Sequence, residues 1–91
     1  MYTMITKDNC KWCVLAKKEF KKRNLEFHER NIPDDLSKEE FEHITEQHNT
    51  RLTVPKIFDG AILIGGYEDL LEYFENHSGG YGEGGLNERN L

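Results

Sequence analysis

Two cysteines, Cys10 and Cys13, are separated by Lys11 and Trp12, and they are the only cysteines of the chain. Two thiols at this spacing can exchange between a dithiol and a disulfide, or they can supply half of the four ligands of a structural zinc ion. One pair cannot build a framework of structural disulfides, and a bridge that closes so short a loop would stabilise the fold little. In a reducing compartment the pair therefore favours redox or metal chemistry.

The histidines give the zinc interpretation little support. His43 and His48 have the mutual spacing of zinc-finger histidines, but 29 residues lie between Cys13 and His43, against the usual separation of about 12–15. The sequence has no second Cys-x-x-Cys motif that could complete a set of four ligands. We therefore expect no metal site.

The elements predicted around the cysteine pair place it where a thiolate is stabilised. A short β-prone segment precedes the pair, and an apolar stripe over about Lys11–Asn24 predicts a helix with lysines on its other face. Unpaired N–H groups and the dipole at a helix start stabilise a thiolate, and Lys7 adds positive charge nearby. We predict that Cys10 is the more exposed and more acidic thiol, and that Cys13 attacks a mixed disulfide formed at Cys10.

The rest of the pattern predicts the element order β-α-β-α-β-β-α. Ser37 and Glu40 form a capping box that starts a second helix, and Asp59-Gly60 predicts a hairpin turn. A strand–helix–strand unit gives parallel strands, whereas a hairpin gives antiparallel ones. We therefore predict an α/β fold with a four-stranded mixed sheet and three helices.

The domain is expected to span residues 1–77. Five of the eight glycines fall within the seven residues 79–85, and no apolar periodicity follows them. Residues 78–91 are therefore predicted to form a flexible Gly-rich C-terminal tail.

Composition limits the classes of function. The chain has 91 residues, 32% of them charged, and a net charge of −5, whereas a strong nucleic-acid binder is expected to be basic. The longest aliphatic run, Ala61–Ile64, is far too short to span a membrane. The first six residues lack the basic and long apolar regions of a secretory signal. We expect a monomeric, cytoplasmic protein that binds neither nucleic acid nor membranes.

Three segments together resemble a glutaredoxin of the small dithiol type found in bacteria and phages. They are Cys10-Lys11-Trp12-Cys13, Arg51-Leu52-Thr53-Val54-Pro55 and Gly65-Gly66-Tyr67-Glu68-Asp69-Leu70. The resemblance covers about residues 2–77 and implies a thioredoxin fold. It also implies an oxidoreductase that uses glutathione as co-substrate to reduce protein disulfides and glutathione mixed disulfides. Ribonucleotide reductase is the family's best-known client, but no residue of this sequence selects it.

The resemblance assigns roles to individual residues. Cys10 matches the nucleophile and Cys13 the resolving cysteine. The implied glutathione-binding residues are Lys7, Trp12, Arg51, Thr53, Val54, Pro55, Gly66, Tyr67, Glu68 and Asp69. Of these, Lys7 and Arg51 are assigned to the glycine carboxylate, and the start of the last helix with Asp69 to the γ-glutamyl end. The peptide bond before Pro55 is cis in the family.

Two alternatives stay open, and the first of them follows from departures from the family pattern. Lys11, Trp12 and Glu68 stand where the family usually has Pro, Tyr and Asp. Members without that proline include some in which two protomers share an iron–sulfur cluster with glutathione, so a cluster carrier is one alternative. A thioredoxin-like electron donor served by thioredoxin reductase is the other.

Overall fold

The computed structural model describes residues 1–77, so the predicted C-terminal tail at 78–91 lies outside the described residues. The elements are β1 (Tyr2–Lys7), α1 (Lys11–Lys22), β2 (Phe27–Ile32), α2 (Lys38–Gln47), β3 (Lys56–Asp59), β4 (Ile62–Gly65) and α3 (Tyr67–His77). Their order confirms the prediction. One sheet has the strand order β2-β1-β3-β4, in which β1 and β2 are parallel and the other two pairs are antiparallel. The predicted mixed sheet is therefore also confirmed.

The helix starts follow from local side-chain chemistry. Cys10 is the N-cap of α1, and its Sγ accepts a hydrogen bond from the Cys13 N–H. At α2 the predicted capping box is present, because Ser37 Oγ accepts from the Glu40 N–H and Glu40 accepts from the Ser37 N–H. Both caps satisfy N–H groups that a helix start otherwise leaves without partners.

Two apolar clusters pack on opposite faces of the sheet. Successive residues of a strand point to opposite faces, so Met4 and Ile5 of β1 enter different clusters. On one face α1 and α3 contribute Ala16, Phe20, Leu70 and Phe74. On the other face α2 packs through Phe41, next to Leu36 and Phe58. The sheet is thus the middle layer, and its central strands β1 and β3 carry the core.

Three connections meet at one end of this sheet. They are the β1–α1 turn with the cysteines, the segment that leads from α2 into β3, and the β4–α3 junction. Asn9 has a φ of 58°, which lets the chain turn sharply between β1 and α1. The segments that carry the three sequence motifs are therefore brought together by the fold.

Candidate active site

The cysteine pair forms a disulfide across the first turn of α1. The Cα atoms of Cys10 and Cys13 are 5.2 Å apart, and the Cys13 N–H lies 3.1 Å from Cys10 Sγ. Cys13 is 2% exposed, whereas Cys10 is only partly buried, as the sequence predicts. A sulfur at Cys10 can therefore meet a substrate, and an N–H group is in place to stabilise it as a thiolate.

A cleft of about 400 Å³ opens beside the cysteines, on the side of α3. Its lining consists of Trp12, Arg51, Thr53, Val54, Pro55, Gly66, Tyr67, Glu68 and Asp69. The structure thus brings nine of the ten predicted glutathione-binding residues around one cavity. Lys7 lines a neighbouring groove instead, on the other side of Val54.

The segment before β3 forms one wall of the cleft. The Val54–Pro55 peptide bond is cis, as the resemblance implies, and the Val54 carbonyl oxygen lies 3.9 Å from Cys10 Sγ. The main chain of Val54 is therefore directly beside the sulfur at which exchange would occur. An extended ligand bonded to that sulfur could pair with this main chain like an added strand.

Lys56 is hydrogen-bonded to the segment that forms this wall, and no motif in the sequence marks it. Its side chain is 3% exposed, and its Nζ donates a hydrogen bond of 2.8 Å to the Arg51 carbonyl. The ammonium also lies 5.7 Å from the centre of the Phe41 ring. Burial lowers the pKa of Lys56. Lys56 is the first residue of β3, where the sequence alone would suggest an exposed lysine. Its role is therefore visible only from the packing.

Two aromatic rings form another part of the cleft lining. The ring centres of Trp12 and Tyr67 are 5.7 Å apart, with an angle of 33° between their planes. Trp12 is 48% exposed although it is the largest side-chain type, and Lys11 Nζ lies 5.3 Å from its ring centre. Exposed aromatic rings next to a reactive sulfur can cover the apolar parts of a bound ligand.

The start of α3 also lines the cleft. Asp69 Oδ2 accepts a hydrogen bond of 2.9 Å from the Gly66 N–H, which fixes the turn into the helix. Gly65 has a φ of 128°, and a Cβ there would overlap the Asp69 carboxylate, whose Cγ would be 2.6 Å away. Gly65 therefore allows the Asp69 carboxylate to approach the main chain. In the sequence, the only sign of this role is the Gly65-Gly66 pair before the predicted helix. Helix N–H groups at this end can receive an anion.

Two further properties concern the described residues only. In residues 1–77 no three His, Cys, Asp or Glu side chains form a group that could hold a metal ion. Within the same residues, no helix has the length and apolar character needed to cross a membrane.

Comparison with known proteins identifies the family. A family model described as Glutaredoxin matches residues 2–63. The chain belongs to the glutaredoxin family. This membership and the fold support a thiol–disulfide oxidoreductase with Cys10 and Cys13 as its redox-active pair. None of the curated proteins compared by sequence matches the chain.

Solved glutaredoxin structures share the fold. Glutaredoxin 1 of Francisella tularensis, crystallised with cacodylate, is 27% identical at a TM-score of 0.68, over 82% of this chain and 92% of that one. The glutaredoxin of Brucella melitensis is 25% identical at a TM-score of 0.66, over 85% and 80%. A buckwheat glutaredoxin in complex with glutathione is 22% identical at a TM-score of 0.67, over 82% and 68%, which shows the likeness of fold alone.

Proposed function

We propose that the protein is a glutathione-dependent oxidoreductase that reduces protein disulfides and glutathione mixed disulfides. The observation that carries this proposal is the cleft beside Cys10, which combines a guanidinium, two aromatic rings, an open main chain and a helix start. A likeness of fold to a glutaredoxin–glutathione complex supports it.

The chemistry of the cleft matches that of glutathione group by group. Glutathione carries two carboxylates and one ammonium, and charged groups of this kind form the stronger hydrogen bonds in proteins. Arg51 can pair with the glycine carboxylate, and N–H groups at the start of α3 can receive the γ-glutamyl carboxylate. Asp69 offers a carboxylate to the ammonium, and the Val54 main chain can pair with the central cysteine residue. Lys7 stays a predicted partner of the glycine end, although it lines the neighbouring groove.

The reductive half of the cycle transfers two electrons from the protein to the client. The Cys10 thiolate attacks one sulfur of the client disulfide, forms a mixed disulfide and releases the other client sulfur as a thiolate. Cys13 then loses its proton to solvent and attacks Cys10 Sγ. This step forms the Cys10–Cys13 disulfide and releases the second client thiolate. The protein loses two electrons and is oxidised, and the client gains these two electrons and is reduced.

Glutathione returns the electrons in two further exchanges. One glutathione thiolate attacks Cys10 Sγ, forms a mixed disulfide in the cleft and frees the Cys13 thiolate, which takes up a proton. A second glutathione thiolate attacks the sulfur of the bound glutathione. The products are oxidised glutathione and the Cys10 thiolate. A glutathionylated client needs only part of this cycle. The Cys10 thiolate attacks the sulfur of the glutathione on the client and releases the client thiolate. A free glutathione thiolate then attacks the glutathione bonded to Cys10, which is the second of the two exchanges above.

A coupled assay tests the proposal. A glutathionylated peptide, glutathione, glutathione reductase and NADPH are mixed with the protein, and NADPH oxidation is followed. We expect turnover that requires glutathione. Turnover that requires thioredoxin reductase and does not respond to glutathione would refute glutathione dependence and favour the thioredoxin-like alternative. The client, the monomeric state and the cytoplasmic location stay predictions.

A further inference from the structure

The two edge strands of the sheet differ in how they are protected. The exposed residues of β2 include Glu29 and Arg30, and charged side chains on an edge are a usual protection against pairing with another chain. β4 carries no charge, because its sequence is Ile62-Leu63-Ile64-Gly65, and Ile62 is 71% exposed. Within residues 1–77 no strand pairs with β4 on the side away from β3. This strand therefore offers its main chain and an aliphatic side chain to a partner.

A hollow of about 230 Å³ lies between β4 and α3. One face of α3 lines it, through residues with the i, i+3, i+4 and i+7 spacing of a helix face: Asp69, Glu72, Tyr73 and Asn76. Ile62 lies on the same side of the sheet, since it pairs with Asp59, whose carboxylate accepts a hydrogen bond from the Tyr73 hydroxyl. The exposed isoleucine and the acidic face of α3 therefore belong to one surface.

We propose that β4 and this face of α3 form a docking site for an extended segment of a partner protein in which basic and aliphatic residues alternate. A strand added beside β4 would pair with its main chain, and its side chains would point alternately to the two faces of the sheet. On the side of α3, a lysine or arginine could cover Ile62 with its aliphatic stem and place its charge next to Glu72. On the other face, an aliphatic residue could pack beside the partly buried Leu63.

Charge decides between the occupants of this site. Among the described residues that line the hollow, Asp69 and Glu72 carry carboxylates and none is basic. A basic segment is therefore attracted, and an acidic one is repelled. A second copy of this chain fits less well, because antiparallel pairing of two β4 strands would place two acidic α3 faces on the same side of the joined sheet. The net charge of −5 adds to that repulsion.

The position and length of β4 suit a partner that binds and leaves. Asp69 lines both this hollow and the cleft beside Cys10, so a docked segment lies next to the redox site. β4 has only four residues, and its register with β3 shifts between Ile57 and Phe58. It can therefore offer a partner only a few main-chain pairs, which makes the complex weak and reversible.

The test uses the full chain labelled with ¹⁵N and six-residue peptides with blocked ends. The peptides alternate Lys with Val, Glu with Val, or Lys with Gly. They contain no cysteine, so the result does not depend on the proposed glutathione chemistry. Amide shifts are followed residue by residue at low salt, and dissociation constants are taken from the titrations. The variants are Glu72→Lys and Ile62→Thr, with Glu42→Lys as the control because Glu42 is exposed on α2, which packs on the other face of the sheet.

The Lys–Val peptide should shift the amides of β4 and of the lining face of α3, and nuclear Overhauser contacts should join its main chain to that of β4. It should bind about tenfold more tightly than either other peptide. Glu72→Lys should weaken its binding about tenfold by reversing one charge, and Ile62→Thr about threefold by removing an apolar contact. Glu42→Lys should bind it nearly as the wild type does.

Four results would overturn the proposal. Equal binding of the Lys–Val and Lys–Gly peptides would leave only a general attraction for cations, and equal effects of the two glutamate variants would remove the location. Shifts of β4 that depend on protein concentration without peptide would assign the strand to a second copy. Contacts between β4 and residues 78–91 would assign it to the chain's own C-terminus.

Discussion

The two cysteines differ in access and in local structure, and this difference sets their roles. Cys10 caps α1, lies next to the cleft and accepts the Cys13 N–H, whereas Cys13 is buried within the helix. Cys10→Ser should therefore abolish reduction of every substrate. Cys13→Ser should still remove glutathione from a glutathionylated peptide, since that reaction needs one thiol, but it should lose reduction of a peptide disulfide. Both activities can be read by the coupled assay. A Cys13→Ser variant inactive on both substrates would show that the roles are wrongly assigned.

Arg51 provides the residue-level test of glutathione recognition. Arg51 is one of the residues that line the cleft, and an exposed charge-assisted hydrogen bond contributes on the order of 1 kcal/mol. Arg51→Ala should raise the KM for a glutathionylated peptide by about tenfold at most, with little change in Tm. Lys21→Ala, at an exposed position on α1, is the matched control. If both variants raised KM equally, the effect would come from total charge and not from the cleft.

The residues that could react with or bind a substrate were predictable from the sequence, whereas the residues that hold them in place were not. The cysteines and Arg51 belong to motifs with fixed spacing, and in the structure Arg51 lines the cleft that opens beside Cys10. Lys56 and Gly65 act through packing against Arg51 and Asp69, and these contacts exist only after the chain has folded. The location of Lys7 in a second groove was missed for the same reason, because the spacing of Lys7 and Cys10 does not fix the direction of the side chain.

At the scale of elements, the β4–α3 junction depends on Gly65. An alanine there would need a φ of 128° and would displace the Asp69 carboxylate. Gly65→Ala should lower the free energy of unfolding by about 2–4 kcal/mol, combining backbone strain with loss of the Asp69 cap. Gly60→Ala is the control, because its φ is 63° and a Cβ there meets no atom within 4 Å, so strain alone should cost about 1–2 kcal/mol. Urea denaturation measures both. Equal losses would show that Asp69 does not depend on Gly65.

The segment before β3 depends on Lys56. Lys56→Met keeps most of the side-chain volume but removes the hydrogen bond to the Arg51 carbonyl. Because it also removes a buried ammonium, the change in Tm should be small. The KM for a glutathionylated peptide should rise about three- to tenfold while kcat changes little, since the loosened segment holds Arg51 less well. Lys21→Met serves as the control. A large fall in Tm with unchanged KM would assign Lys56 a role in folding only.

The pH dependence of the Lys56 effect has a definite sign. Burial lowers the pKa of Lys56 from its usual 10.5, so the folded state disfavours the charged form. The unfolded chain therefore binds more protons between the two pKa values, and this residue makes stability rise with pH there. Lys56→Met should remove that contribution from alkaline urea titrations.

At the scale of the whole molecule, Glu29 joins three elements. Its carboxylate forms an ion pair of 2.7 Å with Lys17 of α1 and accepts a hydrogen bond of 2.6 Å from Thr6 of β1. Both partners lower the pKa of Glu29 below its usual 4.5. Its contribution to stability is therefore present above pH 4.5 and is lost as pH falls through the folded pKa. Glu29→Gln should flatten this acid limb in urea titrations, whereas Glu42→Gln, at an exposed site on α2, should not. Parallel acid limbs would contradict the assignment.

The fold could be predicted because each element has its own local signal. The capping box at Ser37, the Asp59-Gly60 turn and the helical stripe of α1 indicate the element order independently of one another. The exact bounds of the elements were harder to predict. The helical pattern continues to about Asn24, but α1 ends at Lys22, and apolar and polar residues alternate from Leu25, but β2 begins at Phe27. At these ends the chain turns through Asn24 with a φ of 56°, and the tertiary contacts of the strand decide where pairing begins.

The central claim is that glutathione bonded to Cys10 lies in the cleft between Trp12, Arg51 and the start of α3. The most direct test is a crystal structure of the Cys13→Ser variant carrying glutathione on Cys10. The account predicts the glycine carboxylate beside Arg51, the γ-glutamyl carboxylate within about 3 Å of N–H groups at the start of α3, and main-chain pairing with Val54. Glutathione held away from both Arg51 and the start of α3, with the cleft beside Tyr67 filled only by water, would contradict it.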